Sequence, residues 1–402
     1  MLRLSNSRFF SVLLCLLVVW DLSAFAAAPA TRKASAVTVR NIATRSSATR
    51  FANSSGAPSK RSIRHRHSTT HYRYGVPTFA DSTNGDIAEF DDPIVRQASV
   101  EALGHYNGSV VAVDPNSGRV LSVVNQKLAF SDGFIPCSTI KPTIALAALE
   151  ESVITRDTMV PVARHRYMNL TEAMAHSNNK FFEEVGRRMG FETVSRYAHL
   201  LGLGELAGYG IPEEHPGGLP SEPPKNGGVA RMSSFGEGIH ITPLQLASLA
   251  STVANGGTLY YAQYPRTPEE RQNFVPRIKR KLDIEPLLPE LREGMLAAVL
   301  YGTARSSYDR NELEQHLGKT GTCSEQGSRL GWFVSYAADQ VHPRIALVVL
   351  LRGNTHRVMG PTAALVAGRI YHRLHELNYI SATRLDAAAG TPSLDNSSSR
   401  PQ

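Results

Sequence analysis

Residues 143–150 read Thr-Ile-Ala-Leu-Ala-Ala-Leu-Glu, and as a helix they would carry apolar side chains on every face. The run contains no glycine, and a helix that is apolar all round is stable only inside a core. Pro142 falls in the first turn, where its missing N–H costs nothing. The sequence therefore predicts a buried helix with Ser138 at its start and Lys141 one turn later, on the same face.

Ser138 and Lys141 together suggest a nucleophile and its base. A hydroxyl within reach of a lysine amine can act as a nucleophile if burial or a nearby cation keeps the amine neutral. The Ser-x-x-Lys pattern alone is not specific, because average composition gives about one or two chance copies in a chain of this length. A second copy is present at Ser177 and Lys180. Taken alone, either copy is equally explained by a helix cap beside a surface lysine.

The N-terminal residues have the pattern of an export signal. Arg3 and Arg8 precede a short apolar run at residues 9–20, and small residues suited to cleavage follow at 24–28. The run is too short to cross a bilayer comfortably, although an uncleaved anchor stays open as the alternative. We therefore expect residues 1–26 to be a signal peptide or an anchor, and the protein to act in the periplasm or cell envelope.

Charge is segregated along the chain. The formal net charge is +8, yet residues 27–75 hold ten Lys or Arg and no acidic residue. This stretch is rich in Ser, Thr and Ala, so we expect residues 27–90 to form a disordered basic linker. It could contact an anionic membrane or wall surface, or serve only as a solvated tether. No zinc or base-reading motif accompanies the charge, so nucleic acid is not an expected partner.

The chain of 402 residues is 42% hydrophobic, enough to bury a large core, and we expect the rest of the chain, 91–380, to form the folded domain. Alternation and apolar runs predict strands at 108–114, 119–124, 316–323, 330–337 and 344–351. Helical patterns cover 92–103, 169–175, 181–189, 242–250, about 286–300 and 362–376. The expected fold is α/β (α+β): an antiparallel sheet built from both chain ends and flanked by helices, with an all-α subdomain inserted. Residues 381–402 are expected to be a disordered tail.

A third group of polar residues lies on the first of the late strands, at Lys319-Thr320-Gly321-Thr322. Glycine weakens a strand, so it often marks a close approach of another backbone. The lysine and the two hydroxyls could together hold a small carboxylate along the strand edge. Considered alone, this pattern fits an ordinary edge strand with an exposed lysine better.

The order of the motifs is more specific than any one of them. Three motifs follow one another: Ser138-x-x-Lys141, Ser177-Asn178-Asn179 and Lys319-Thr320-Gly321. This order resembles the penicillin-recognising family of penicillin-binding transpeptidases, D-alanyl-D-alanine carboxypeptidases and serine β-lactamases. The resemblance covers about residues 92–378. It includes residues 236–247, similar to a segment typical of transpeptidases, and 331–336 after the Lys-Thr-Gly strand. A β-lactamase/transpeptidase-like fold is implied.

The resemblance implies four catalytic residues. Ser138 would attack the carbonyl of a terminal D-Ala-D-Ala bond, and unprotonated Lys141 would be its base. Ser177 would relay a proton to the leaving amine. Lys319 would keep the site positive and so help to keep Lys141 neutral. Only the Ser-x-x-Lys copy at Ser138 precedes both other motifs, so the copy at Ser177 belongs to the second motif.

The resemblance also implies the groups that hold the substrate. Asn179 would hydrogen-bond the substrate backbone, while Thr320 and Thr322, on either side of Gly321, would bind its carboxylate. The backbone N–H groups of Ser138 and Thr322 would form the oxyanion hole. The implied partners are peptidoglycan stem peptides as substrates and β-lactams as inhibitors, with a glycosyltransferase as a candidate protein partner. No metal cluster or nucleotide-binding loop is evident, so no cofactor is expected.

Two cysteines bear on the choice within the family. Cys137 and Cys323 directly adjoin the first and third motifs, at offsets where some class A carbapenemases have a disulfide. If Ser138 and Thr322 shared one oxyanion hole, these neighbours would be close, and an exported chain meets oxidising conditions. A Cys137–Cys323 disulfide is therefore expected, with two free buried thiols as the alternative.

Other features oppose a β-lactamase. The Glu-x-x-Leu-Asn loop of class A enzymes is absent between Asn179 and Lys319. The second motif reads Ser-Asn-Asn rather than the usual Ser-Asp-Asn, and Asn179 is polar where class D enzymes are hydrophobic. A non-turnover β-lactam sensor is also disfavoured, because such sensors usually follow several membrane spans and here no motif residue is missing. Residues 242–247 favour a transpeptidase over a carboxypeptidase, although Glu237 stands where transpeptidases more often have Gln.

Overall fold

The computed structural model describes residues 75–309, 315–338 and 343–380. The expected signal peptide or anchor, most of the expected basic linker and the expected tail lie outside these residues. Within the described ranges, no helix combines the length and the apolar character needed to cross a membrane.

The central sheet joins the two ends of the domain, as predicted. Its strands are β1 (Gly108–Val113), β2 (Val120–Val124), β7 (Gln315–Glu325), β8 (Ser328–Ala338) and β9 (Pro343–Gly353). They lie in the order β2-β1-β9-β8-β7, and every pair is antiparallel. The early hairpin thus pairs with the last strand, with Gly108 opposite Leu351. The strand with the Lys-Thr-Gly motif, β7, lies at one edge.

Helices cover both faces of this sheet. In chain order they are α1 (Pro93–Leu103), α2 (Gln126–Ala129), α3 (Lys141–Glu150), α4 (Leu170–Ala175), α5 (Asn179–Met189), α6 (Phe191–Leu200), α7 (Gly228–Phe235), α8 (Pro243–Ala254), α9 (Pro268–Gln272), α10 (Leu288–Leu300) and α11 (Gly360–Glu376). Short 3₁₀ turns occur at Cys137–Ile140, Glu285–Leu287 and Arg305–Ser307.

The position of β9 in the sheet, covered on both faces, explains why its sequence is a continuous apolar run. Leu347, Val349 and Leu351 face the core formed with α1 and α11, while Ala346, Val348 and Leu350 face the core that contains α3 and α8. Residues 345–351 are fully buried. Because successive side chains of a strand point to opposite faces, a strand covered on both sides needs apolar residues throughout.

The middle of the chain is mainly helical, as predicted, but it also contains two short ribbons. Strand β3 (Val160–Ala163) pairs with β4 (Arg166–Met168), and β5 (Thr258–Tyr260) pairs with β6 (Ile278–Lys281). The insertion is therefore not purely α-helical. Strands of three or four residues are too short for alternation to be recognised in a sequence.

The folded domain also begins earlier than the boundary expected at residue 91. The carboxylate of Asp86 accepts hydrogen bonds from the backbone N–H groups of Asn125 and Gln126, at 2.9 and 2.8 Å, and pairs with Arg96 at 2.8 Å. The backbone N–H groups at the start of α2 have no partner within the helix, so this carboxylate satisfies them. The residues before α1 belong to the domain.

One buried histidine should make the stability of this fold depend on pH. The ring of His316 stacks on Tyr371 with centroids 4.6 Å apart, and Nε2 lies 2.8 Å from Ser307 Oγ. Burial lowers the pKa of His316 to about 4, below the value of about 6.5 in an unfolded chain. The unfolded state therefore takes up the proton first as the pH falls. The contribution of neutral His316 to the free energy of unfolding, at most about 3 kcal/mol, is complete above pH ~6.5 and is lost towards pH ~4.

Substituting His316→Gln should therefore flatten the fall in melting temperature between pH 6.5 and pH 4, compared with the unsubstituted protein. Thermal unfolding followed by circular dichroism across this range measures the slope. His199→Gln, which removes an exposed histidine on α6, is the matched control and should leave the slope unchanged. An unchanged slope in the His316 variant would contradict this assignment.

Candidate active site

The segment before Ser138 is held from two sides. The indole N–H of Trp332 donates to the carbonyl of Ile135 at 3.1 Å, and Glu325 accepts the N–H of Ile135 at 3.2 Å. Cys137 has a positive φ of 53°, which non-glycine residues adopt only where the surrounding structure imposes it. Both backbone groups of Ile135 are thus held, and Ser138 lies in the 3₁₀ turn Cys137–Ile140 that leads into α3.

Lys141, the first residue of α3, points into a closed cluster of oxygen atoms. Its Nζ lies 2.9 Å from Ser138 Oγ and 3.0 Å from Ser177 Oγ. The same nitrogen is 2.7 Å from both the carbonyl oxygen of Ser177 and Oδ1 of Asn179. The side chain is fully buried. The structure therefore brings together four of the residues expected at the site: Ser138, Lys141, Ser177 and Asn179.

These contacts fit a neutral amine. The carbonyl oxygen of Ser177 and Oδ1 of Asn179 can only accept hydrogen bonds, so they take both N–H groups of an uncharged Lys141. The lone pair then points towards the hydroxyls. In that arrangement the O–H of Ser138 can donate to Lys141, which is the geometry that a general base needs.

Burial and the neighbouring charge of Lys319 favour the neutral form of the Lys141 amine. Burial lowers the pKa of Lys141 well below its usual range, and the positive charge of Lys319 lowers it further. The carboxylate of Glu183 opposes this effect. Glu183 is itself paired with Lys180 at 2.8 Å. Lys180, the lysine of the second Ser-x-x-Lys copy, is exposed and pairs with Glu183, while Ser138 and Lys141 of the first copy belong to the buried cluster.

Lys319 reaches the cluster from the edge strand. Its Nζ donates to Ser177 Oγ at 2.8 Å and to the carbonyl oxygen of Thr320 at 2.9 Å. It is completely buried, and this burial lowers its pKa to about 7. The Ser177 hydroxyl therefore lies between two amines, Lys319 and Lys141. Ser177 also has a positive φ of 53°, so the short connection between α4 and α5 is strained to place it there.

Gly321 allows the strand to approach the serine turn. A Cβ atom at this position would lie 2.9 Å from the carbonyl oxygen of Pro136 and 3.2 Å from Cβ of Cys137. Both distances are shorter than ordinary contacts, so a larger residue would push β7 away. The sequence predicted that Gly321 marks a close approach of another backbone, and the glycine does allow β7 to lie close to the serine turn.

The two threonines of β7 differ in accessibility. Thr320 is buried, and its hydroxyl is 2.7 Å from the hydroxyl of Thr303. Thr322 is exposed and its Oγ1 accepts the N–H of Gly360 at 2.8 Å, which leaves its own proton free. Of the two hydroxyls expected to hold a carboxylate, that of Thr322 is the accessible one. Thr303 was not identified from the sequence, because nothing in its own stretch signals a contact with β7.

A disulfide joins Cys137 and Cys323, whose Cα atoms are 5.7 Å apart across a sequence separation of 186. Each cysteine directly adjoins a residue expected in the oxyanion hole, Ser138 on one side and Thr322 on the other. The bond therefore ties the serine turn to the edge strand. No group of three His, Cys, Asp or Glu side chains within the described ranges is placed to hold a metal ion.

Comparison with known proteins agrees with this geometry. A family model described as the penicillin binding protein transpeptidase domain matches residues 108–374. The stage V sporulation protein D of Bacillus subtilis is 27% identical over 324 residues, which cover 68% of this chain and 50% of that protein. The peptidoglycan D,D-transpeptidase MrdA of Acinetobacter baumannii is 24% identical over 72% of this chain and 54% of its own. The chain thus spans about half the length of these curated relatives.

Solved structures share the fold. Pseudomonas aeruginosa PBP2, solved in complex with WCK 5153, superposes with a TM-score of 0.61 at 20% identity over 71% of this chain and 74% of that one. PBPA from Mycobacterium tuberculosis gives 0.59 at 20% identity over 70% and 78%. The family model covers well over half of the chain, so this protein belongs to the penicillin-binding protein transpeptidase domain family.

Proposed function

We propose that this chain is a serine D,D-transpeptidase that acts on the D-Ala-D-Ala ends of peptidoglycan stem peptides. The observation that carries the proposal is the buried Lys141 amine, 2.9 Å from Ser138 Oγ, with both of its N–H groups directed at obligate acceptors. Membership of the family, and relatives named as peptidoglycan D,D-transpeptidases, support it further.

In the acylation step, Ser138 Oγ attacks the carbonyl carbon of the penultimate D-Ala while its proton passes to Lys141. The N–H groups of Ser138 and Thr322 stabilise the oxyanion, each such donor being worth roughly 3 kcal/mol in comparable sites. The C–N bond then breaks, and Ser177 passes a proton from Lys141 to the departing amine. The products are a free D-Ala and an ester between Ser138 and the stem peptide.

The remaining residues bind the substrate. Oδ1 of Asn179 is bound to Lys141, so its amide N–H groups are free for a carbonyl of the peptide. The terminal carboxylate lies at Thr322, with Thr320 and Thr303 supporting the strand beneath it and Lys319 supplying positive charge. In the second step an amine of a neighbouring stem peptide attacks the ester carbonyl, the bond to Ser138 Oγ breaks, and a proton from the amine returns to Oγ. The new amide is the cross-link, and Ser138 is regenerated.

The rival activities differ in what happens to the acyl-enzyme. A carboxypeptidase would hydrolyse the same ester with water. A β-lactamase would rapidly hydrolyse the ester that it forms with a β-lactam. The Cys137–Cys323 bond, placed as in some carbapenemases, is the feature that favours a β-lactamase. Against it, no carboxylate among the described residues is hydrogen-bonded to Lys141 to activate a water. The acyl-enzyme should therefore be long-lived.

Intact mass spectrometry after mixing the protein with benzylpenicillin tests the proposal. We expect one covalent adduct that persists for hours and is absent from the Ser138→Ala variant. Rapid return to the free mass with hydrolysed penicillin in solution would identify a β-lactamase. No adduct and no hydrolysis would exclude the whole class of activities. D-Ala release from stem peptides, with and without an added acceptor amine, then separates transpeptidase from carboxypeptidase.

Location and partners are part of the same proposal. The signal-like residues 1–26 would export the protein to the periplasm or cell envelope, either cleaved or retained as an anchor. The basic stretch that follows would lie against an anionic membrane or wall surface. A glycosyltransferase that makes the glycan strands is the expected protein partner, since cross-linking needs strands to act on.

A further inference from the structure

A cavity of about 500 Å³ lies beyond the catalytic cluster, at the end of β7. Its walls include Phe134, from the segment that leads to the serine turn, His240, Glu325 at the end of β7, and Arg352 near the end of β9. None of these residues belongs to the three motifs. The cavity is therefore a feature that the proposed chemistry does not use.

Arg352 is the charged group in this cavity without a partner of opposite charge. Its guanidinium carbon lies 5.1 Å from the centre of the Phe134 ring, and its Nε is 3.4 Å from Ser328 Oγ. Within the described residues no carboxylate is paired with it. Its terminal nitrogens therefore keep the planar pair of donors that binds a carboxylate at two points.

The carboxylates around the cavity are already engaged. Glu325 accepts from the N–H of Ile135 at 3.2 Å and lies 2.9 Å from His240 Nε2. This hydrogen bond raises the pKa of His240, which favours a charged partner for Glu325. Asp132 is paired with His215 at 2.8 Å. The positive charge of Arg352 is thus left for a ligand.

The cavity lies where a bound peptide would continue. Glu325 follows Thr322 by three residues, or about 10 Å along a strand. With the terminal carboxylate of a stem peptide at Thr322 and the reacting carbonyl at Ser138, a peptide that continues along the edge of β7 in the direction of Glu325 reaches the cavity. An extended chain covers that distance in two to three residues, or in fewer if a side chain reaches forward.

We propose that this cavity is a substrate subsite in which Arg352 binds a carboxylate that the stem peptide carries upstream of its D-Ala-D-Ala end. Arg352 is then a residue that determines specificity, and it distinguishes a carboxylate from the corresponding amide. This inference rests on the proposed function, since it requires the peptide to lie along β7.

Competition against a fluorescent penicillin tests the subsite without requiring turnover. The competitors are short peptides ending in D-Ala-D-Ala, with glutamate at the first or the second residue upstream, each compared with a glutamine counterpart. In the unsubstituted protein, glutamate at one of these positions should lower the concentration that halves labelling by about tenfold, as expected for a partly buried charge pair.

The glutamate-to-glutamine ratio is taken within each variant, so a general change in labelling rate cancels. Arg352→Gln should bring the ratio to one, and Arg352→Lys should keep part of it. Arg277→Gln is the matched control: Arg277 also lies on an aromatic ring, that of Tyr209 at 4.2 Å, and no carboxylate in the described part of the chain is paired with it. That variant should keep the full ratio.

Equal inhibition by both peptides of each pair in the unsubstituted protein would overturn the inference, and this outcome needs no variant to fold. A preference that survives Arg352→Gln would overturn it as well. Failure of the penicillin to label the unsubstituted protein at all would instead refute the proposed function, and the subsite with it.

Discussion

Replacing Lys141 by methionine should slow acylation by benzylpenicillin by about a thousandfold, the size of effect expected when a general base is lost. Methionine keeps an unbranched apolar side chain, one atom shorter than that of lysine, but has no basic group that could take the proton of Ser138. The cluster around Nζ would lose its central atom while Ser138 stayed on the same turn. The chemical step should suffer more than penicillin binding.

Stopped-flow labelling over a range of penicillin concentrations separates the acylation rate constant from the binding constant. Lys180→Met is the matched control, because Lys180 occupies the same position in the second Ser-x-x-Lys copy but is exposed and paired with Glu183. It should label at the unsubstituted rate. Near-normal acylation by the Lys141 variant would show that another group takes the proton.

The pH profile gives a second readout of the same prediction. Protonation removes the lone pair of Lys141, so acylation should slow as the pH falls. Burial and Lys319 hold the pKa of Lys141 well below its usual range, and acylation should therefore remain fast at neutral pH. An acylation rate that kept rising up to the pH at which ordinary lysines lose their protons would contradict the neutral amine.

The sequence predicted most of the fold because buried helices and strands have recognisable patterns of apolar residues. The continuous apolar run at residues 345–351 indicated a strand covered on both faces, and β9 is covered in that way. The buried helix after Ser138 was predicted for the same reason. The two ribbons β3–β4 and β5–β6 have no recognisable apolar pattern, because each strand is only three or four residues long.

The candidate site was predicted in part. Motif order identified the residues that meet around Lys141, but residue types gave no indication of their burial. By its own pattern Lys319 fitted an exposed lysine on an edge strand, yet it is fully buried against Ser177, which lies 142 positions earlier. Such burial depends on which segments meet in space. Thr303 beneath Thr320 and Glu325 against Ile135 were missed for the same reason.

Removing the Cys137–Cys323 disulfide should both destabilise the domain and slow acylation. The bond closes a loop over a sequence separation of 186, and loss of such a constraint on the unfolded chain costs about 2–5 kcal/mol in the free energy of unfolding. It also ties the serine turn to β7, so its loss should let the two N–H groups of the oxyanion hole shift. Misplacement by about 1 Å can cost around a hundredfold in rate, and we expect a loss of tenfold or more.

A double variant, Cys137→Ser with Cys323→Ser, avoids an unpaired thiol and should show both effects in thermal unfolding and in stopped-flow labelling. Dithiothreitol should reproduce them in the unsubstituted protein and should not change the double variant further, which controls for other actions of the reductant. Labelling must be measured well below both melting temperatures, so that the fraction of unfolded protein does not contribute to the rate.

The two readouts separate two roles for the same bond. The stability term depends on loop length and would be similar wherever a loop of this size was closed. The rate term depends on the place of closure, one residue from Ser138 and one residue from Thr322. A variant that melts earlier but acylates at the normal rate would mean that Gly321, Trp332 and Glu325 already fix the turn against the strand. A slower acylation rate in fully folded protein would mean that the disulfide itself positions the oxyanion hole.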